Sequence, residues 1–213
     1  MLSVIRWLLF RKRDMTQARV LDERDIKRCL LYIAARRHAS RNRCMFLLTH
    51  QTGMRVGEVA ALRICDVLDV RGDIRDEVRL SADQTKGRVG RVVMIPQRMR
   101  GEIKQYLMDR FKTRDLAPIL LTPTERALFT TQKSAARGFT ANTLTQYFHH
   151  MYREAGIAGA SSHSGRRGFI TNLANKGVSV RVLQALAGHK SLAVTQRYIE
   201  VNPGIMRRAV EMI

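Results

Sequence analysis

This chain predicts a mainly helical single domain carrying one small three-stranded antiparallel β-sheet, and three observations predict it. Apolar residues recur at helical spacing along most of the 213 residues, and only four prolines interrupt them. Between Ile64 and Pro96 the period changes to alternation, broken by turn residues. The length suits one core with a short appendage.

Residues 22–37 place Ile26, Leu30 and Ile33 on one stripe, with acids at the front and Arg36-Arg37 at the back, the order a helix dipole favours. Residues 41–51 give a second helix around Met45 and Leu48 that halts at Thr52-Gly53, and a third begins near Arg55 and runs through Val59 and Leu62. The strands are expected over 64–70, 77–81 and 89–96, separated by Arg71-Gly72-Asp73 and Thr85-Lys86-Gly87-Arg88. Helix resumes over 97–111, 140–154, 166–176, 178–187, 191–199 and beyond Pro203, with Gly156, Gly177 and Gly188 as stops. Residues 122–140 read as a basic loop. Met1 to Phe10 is apolar but interrupted by Arg6 and followed by Arg11-Lys12-Arg13, so it reads as an amphipathic stretch rather than a span or leader. Met15 serves equally well as a start.

Lys and Arg number 38 against 18 Asp and Glu, a net charge of +20, while 45% of residues are hydrophobic. The charge therefore does not come with the apolar poverty of disorder, and it concentrates polyanions: nucleic acid first, an anionic membrane surface second. Cys29, Cys44 and Cys65 show neither CxxC spacing nor a histidine at a zinc-finger interval, which argues against a disulfide framework or structural zinc and fits the reducing cytoplasm.

Phosphoryl transfer needs either metal or cationic donors with a side-chain nucleophile. The sparse carboxylates form no tight cluster for paired Mg²⁺, so the metal-free route is favoured. The C-terminal third supplies candidates: His163 and Arg166, three apart on one helical face; His189, which follows Gly188 and opens the next turn; and Tyr198 at a short helix end. Tyr32, Tyr106, Tyr147 and Tyr152 fall on apolar stripes and read as core. His149 and His150 read as structural or solvent-facing.

Thr52-Gly53-Met54-Arg55-Val56-Gly57-Glu58, Lys86, His163-x-x-Arg166, Leu183-x-x-Leu186-x-Gly188-His189 and Tyr198, in that order, resemble the catalytic motifs of the tyrosine recombinase (phage-type integrase) family over roughly residues 22–205. The resemblance implies the DNA breaking-rejoining catalytic-domain fold over 21–213, after an N-terminal extension over 1–20. It implies that Arg55 and Arg166 grip a scissile phosphate, Lys86 protonates the leaving 5′ oxygen, His163 manages the nucleophile's proton, His189 donates to the phosphate and Tyr198 attacks. It further implies no cofactor and no metal, duplex DNA as partner, a tetramer on paired sites with accessory DNA-bending proteins, and a cytoplasmic, nucleoid-associated location without membrane. A helix over 204–213, with Ile205, Met206, Ala209, Val210 and Ile213 at helical spacing, is expected to pass between subunits.

Two features depart from the family pattern. Gly165 and Arg167 stand where His-x-Leu-Arg-His is commoner, and the N-terminal clamping domain of about a hundred residues is not found, as in short fimbrial-switch invertases. Glu58 reads as structural support for Arg55. The rivals to a recombinase are a type IB topoisomerase-like relaxase and a catalytically silent DNA-binding regulator on the same fold.

Overall fold

The computed structural model describes residues 17–132, 137–199, 206–207 and 210–211. Helix α1 (Glu23–Ala34) starts where the Asp22 carboxylate accepts the Asp25 N–H at 2.7 Å, and it buries Cys29 and Ile33. It stops three residues short of the expected end. His38, in a left-handed conformation (φ 60°), then opens α2 (Ala39–Thr52). Helix α2 is buried nearly all round, with Cys44, Met45, Phe46 and Leu48 fully enclosed, and α1 and the helices over 97–111 and 164–175 pack against it. Short α3 (Val56–Ala61) and the single turn α4 (Ile64–Val67) follow.

Strands β1 (Glu77–Leu80) and β2 (Arg91–Met94) pair antiparallel, Glu77 opposite Met94 and Leu80 opposite Arg91. Among the described residues this sheet has two strands, a correction to the three expected. The run from Ile64 to Val70 coils instead. Ile64 and Val67, three apart, are both buried; the Asp66 carboxylate accepts the Arg63 N–H at 2.8 Å; and the Ile64 and Cys65 N–H groups donate to the carbonyls of Arg126 and Thr124. Backbone donors that a ladder would need are already committed to the 124–126 loop, and only a Leu68–Ile74 bridge remains of the third strand.

Helix α5 (Gln97–Phe111) packs on α2 through Met99, Ile103 and Leu107. After a 3₁₀ turn (Ala117–Leu121) and the basic loop come α6 (Ala141–Glu154), capped by Thr140, and α7 (Ser164–Asn175), which lies along α2. Then follow α8 (Val180–Ala187), capped by Ser179, and α9 (Leu192–Gln196). Tyr106 and Tyr152 are buried, and Tyr32 and Tyr147 pack against the core. Of the expected 204–213 helix, only Met206, Arg207, Val210 and Glu211 lie within the described residues; the first three are helical. The 1–20 extension is described only from residue 17. No helix of the described residues is long and apolar enough to cross a membrane.

Candidate active site

Arg55 owes its position to Gly53. That glycine ends α2 at φ +66°, and a Cβ on it would stand 2.5 Å from a ring carbon of Phe169, so both backbone and space demand glycine. The chain then runs extended, and Arg55 becomes the N-cap of α3. The Glu58 carboxylate accepts the Arg55 backbone N–H at 2.7 Å through Oε2 and its Nη1–H at 2.8 Å through Oε1. Glu58 is 1% exposed. From β2, Arg91 grips the same carboxylate, Nη2 to Oε2 at 2.7 Å and Nε to Oε1 at 3.1 Å. Burial alone would raise the Glu58 carboxyl, but the hydrogen bonds and charge of Arg91, with those of Arg55, outweigh it and hold the group below the usual carboxylate range.

Arg166, in the first turn of α7, is 3% exposed and donates Nη1–H to the Gly53 carbonyl at 2.8 Å and Nη2–H to the Ala187 carbonyl at 2.6 Å. One guanidinium thus joins the turn after α2 to the end of α8. A guanidinium carries more N–H groups than two carbonyls use, so donors remain for an anion. Burial, then the charges of Arg55 and Arg91, partly offset by Glu58 and Tyr198, push Arg166 down to about 10; it stays a cation at neutral pH.

Gly188 ends α8 at φ +61°, and a Cβ there would lie 2.6 Å from Cδ of Arg91. His189 follows, its Nδ1 2.9 Å from the buried Thr195 hydroxyl. When that hydroxyl donates to Nδ1, the other ring nitrogen carries the proton and becomes a donor. Burial, then Arg166, Arg55 and Arg91, push His189 down to about 4, so it is neutral near pH 7. The Tyr198 ring stacks on His189 with centroids 5.4 Å apart and planes at 24°, and the Arg167 guanidinium carbon lies 5.7 Å from the Tyr198 centroid.

His163 stands at the surface immediately before α7, held below the ordinary histidine value by partial desolvation and by Arg166, Arg55 and Lys86. Lys86 is exposed on the turn leading to β2. Together with Arg55 and His163 it lines a groove of about 580 Å³ whose far wall includes Phe139, Ala141 and Thr145 of the loop and α6. A Cβ on neighbouring Gly87 would lie 3.6 Å from Cε of Lys190, so the hairpin tip meets the loop that holds His189.

Arg55, Lys86 and His163 therefore share the groove, whereas Arg166, His189 and Tyr198 do not line it; the charge of Arg166 acts on Arg55, His163, His189 and Tyr198. Arg91 and Thr195 were missed by sequence reasoning. Arg91 reads as one arginine among many on a strand, and its carboxylate partner is remote in sequence. Thr195 reads as an ordinary helical residue. The Gly165 departure has a steric reason: a Cβ there would collide with the Thr49 hydroxyl and stand 2.8 Å from the Thr49 Cβ, because α7 lies close against α2. Among the described residues no three His, Cys, Asp or Glu side chains are grouped as a metal site requires.

The family model described as the phage integrase family matches residues 19–204. The tyrosine recombinase XerA of Pyrococcus furiosus is 31% identical over 200 residues, which cover 94% of this chain and 63% of that one. This chain therefore spans less than two thirds of that relative. A crystal structure of XerA recombinase superposes with TM-score 0.69 at 23% identity, over 92% of this chain and 65% of that chain. The Tn1549 transposon integrase, in complex with transposon right-end DNA, superposes with TM-score 0.68 at 17% identity, over 94% of this chain and 67% of that chain.

Proposed function

This chain belongs to the phage integrase family, and from that premise we propose that it is a site-specific DNA recombinase that breaks and rejoins duplex DNA through Tyr198. The observation that carries the reading is that Tyr198, stacked on neutral His189, lies within electrostatic reach of Arg166, whose fork is fixed by the carbonyls of Gly53 and Ala187. A phenol beside anchored guanidinium donors suits attack on a phosphodiester, because the donors stabilise charge that builds on the non-bridging oxygens.

In this reading the Tyr198 oxygen attacks phosphorus while His163, neutral at pH 7, takes the phenolic proton. The bond to the 5′ oxygen breaks, Lys86 supplies that oxygen with a proton, and a 3′-phosphotyrosine and a 5′-hydroxyl result. Arg55 and Arg166 hold the phosphate, and His189 adds a donor from its outward ring nitrogen. The covalent link retains the ester's energy, so a 5′-hydroxyl from a second duplex reverses the step and joins the new strands. DNA is the partner, as the complex of the Tn1549 transposon integrase with transposon DNA and the net charge of +20 support. A tetramer on paired sites follows from exchanging strands between two duplexes. Met206 and Val210, helical and exposed, support the 204–213 segment as an arm that docks on a second copy.

The test is a nicked suicide duplex incubated with the protein in EDTA without ATP. Wild type is expected to give an adduct that survives denaturation, and Tyr198→Phe to give none. An equal yield from Tyr198→Phe removes Tyr198 as the nucleophile.

A further inference from the structure

We propose that Arg91 is a positioning residue of this site, a clasp that ties the Lys86 hairpin and the His189 turn to the carboxylate that aims Arg55. The inference rests on the recombinase reading for its kinetic consequence but not for the clasp itself. Arg91 occupies the first position of β2, on the strand that leaves the Lys86 turn, and its side chain is 10% exposed. Its planar head makes three hydrogen bonds in two directions. Nε and Nη2 take the two oxygens of Glu58, and Nη1 donates to the Leu186 carbonyl at 3.0 Å. Its stem passes so close to Gly188 that any side chain there would strike it.

Each Glu58 oxygen is therefore shared, receiving one donor from Arg55 and one from Arg91. Removing Arg91 would leave a carboxylate that is almost wholly out of water with half of this support. The Arg55 guanidinium would then be drawn onto both oxygens and away from a phosphate. The hairpin bearing Lys86 would lose its tie to the α8 terminus in the same step. Lysine keeps the charge but cannot span two oxygens and a carbonyl from one planar group.

The experiment uses the full chain with Arg91→Lys and Arg91→Ala. Single-turnover cleavage of suicide DNA is measured at saturating DNA, DNA affinity is measured separately, and free guanidinium ion is added as a rescue arm. Cleavage is expected to fall about 100-fold or more in both variants, with affinity within about threefold of wild type, and guanidinium is expected to restore part of the loss in Arg91→Ala. Cleavage by Arg91→Lys close to wild type, or a loss carried entirely by affinity, overturns the proposal. Hydrogen exchange of the DNA-free proteins is the arm independent of activity and of the alanine variant's folding. Arg91→Lys is expected to speed exchange at both the 85–91 hairpin and residues 186–189, while the α2 amides stay protected. Unchanged exchange at those two segments overturns the clasp. Should wild type form no adduct, the recombinase reading falls and the exchange arm alone decides the clasp.

Discussion

Gly165 sets how closely α7 lies on α2, because its missing side chain leaves room only for Thr49 and His50. Gly165→Leu, which restores the commoner family residue, is expected to destabilise the protein by about 1–3 kcal/mol through overpacking. The urea midpoint measures it, and an unchanged midpoint would mean the helices part freely. Residues of this kind also show what a sequence carries. Arg55, His163, Arg166, His189 and Tyr198 could be singled out in the sequence because each lies in a short local pattern, a glycine turn, a helix start or, for Tyr198, a helix end. The structure adds why those glycines are needed: Gly53 packs on Phe169 and Gly188 on Arg91. Arg91 and Thr195 were not legible, since their partners Glu58 and His189 are assigned by folding rather than by spacing.

Among the elements, the β1–β2 hairpin is the part whose chemistry depends most on placement, since it carries Lys86 at an exposed tip over the groove. If Lys86 acts as the general acid, its removal matters only when the leaving group needs a proton. Lys86→Ala is expected to lose about 100-fold or more in cleavage of ordinary DNA and to recover most of it when sulfur replaces the bridging 5′ oxygen, because a thiolate leaves unprotonated. Equal losses on both substrates would assign Lys86 to binding instead. The helices over 97–111 and 140–154 were legible almost to the residue from their apolar period and the Thr140 cap. The third strand was misread because Ile64 and Leu68, four apart, share a face in a strand and in a helix alike, and over so short a run only Val67 breaks the alternation. What decided between them was the 124–126 loop, a tertiary partner for the backbone donors of residues 64 and 65.

For the whole molecule, buried imidazoles make stability depend on pH. His189 falls from 6.5 to about 4 and His50 from 6.5 to about 3, the latter by burial. The unfolded chain then binds protons more readily than the folded one between those values. Their stabilising contribution is complete above pH 6.5 and is lost as pH falls toward the folded values. Urea midpoints are expected to drop steadily below pH 6.5, and His189→Asn is expected to flatten part of that slope; a midpoint that rises on acidification contradicts the burial argument. Cleavage should share the direction, its acid limb lying below the ordinary 6.5 because partial burial, and then the cations Arg166, Arg55 and Lys86, resist protonation of His163.

The central claim is that one phenol, Tyr198, becomes covalently joined to DNA at a phosphate held by Arg55 and Arg166. Digesting the adduct with trypsin and nuclease and sequencing the nucleotide-bearing peptide by mass spectrometry tests it most directly. The account predicts a 3′-phosphonucleotide on Tyr198, within a peptide that begins after Arg197. A nucleotide on any other residue, or one joined through its 5′ phosphate, would contradict it.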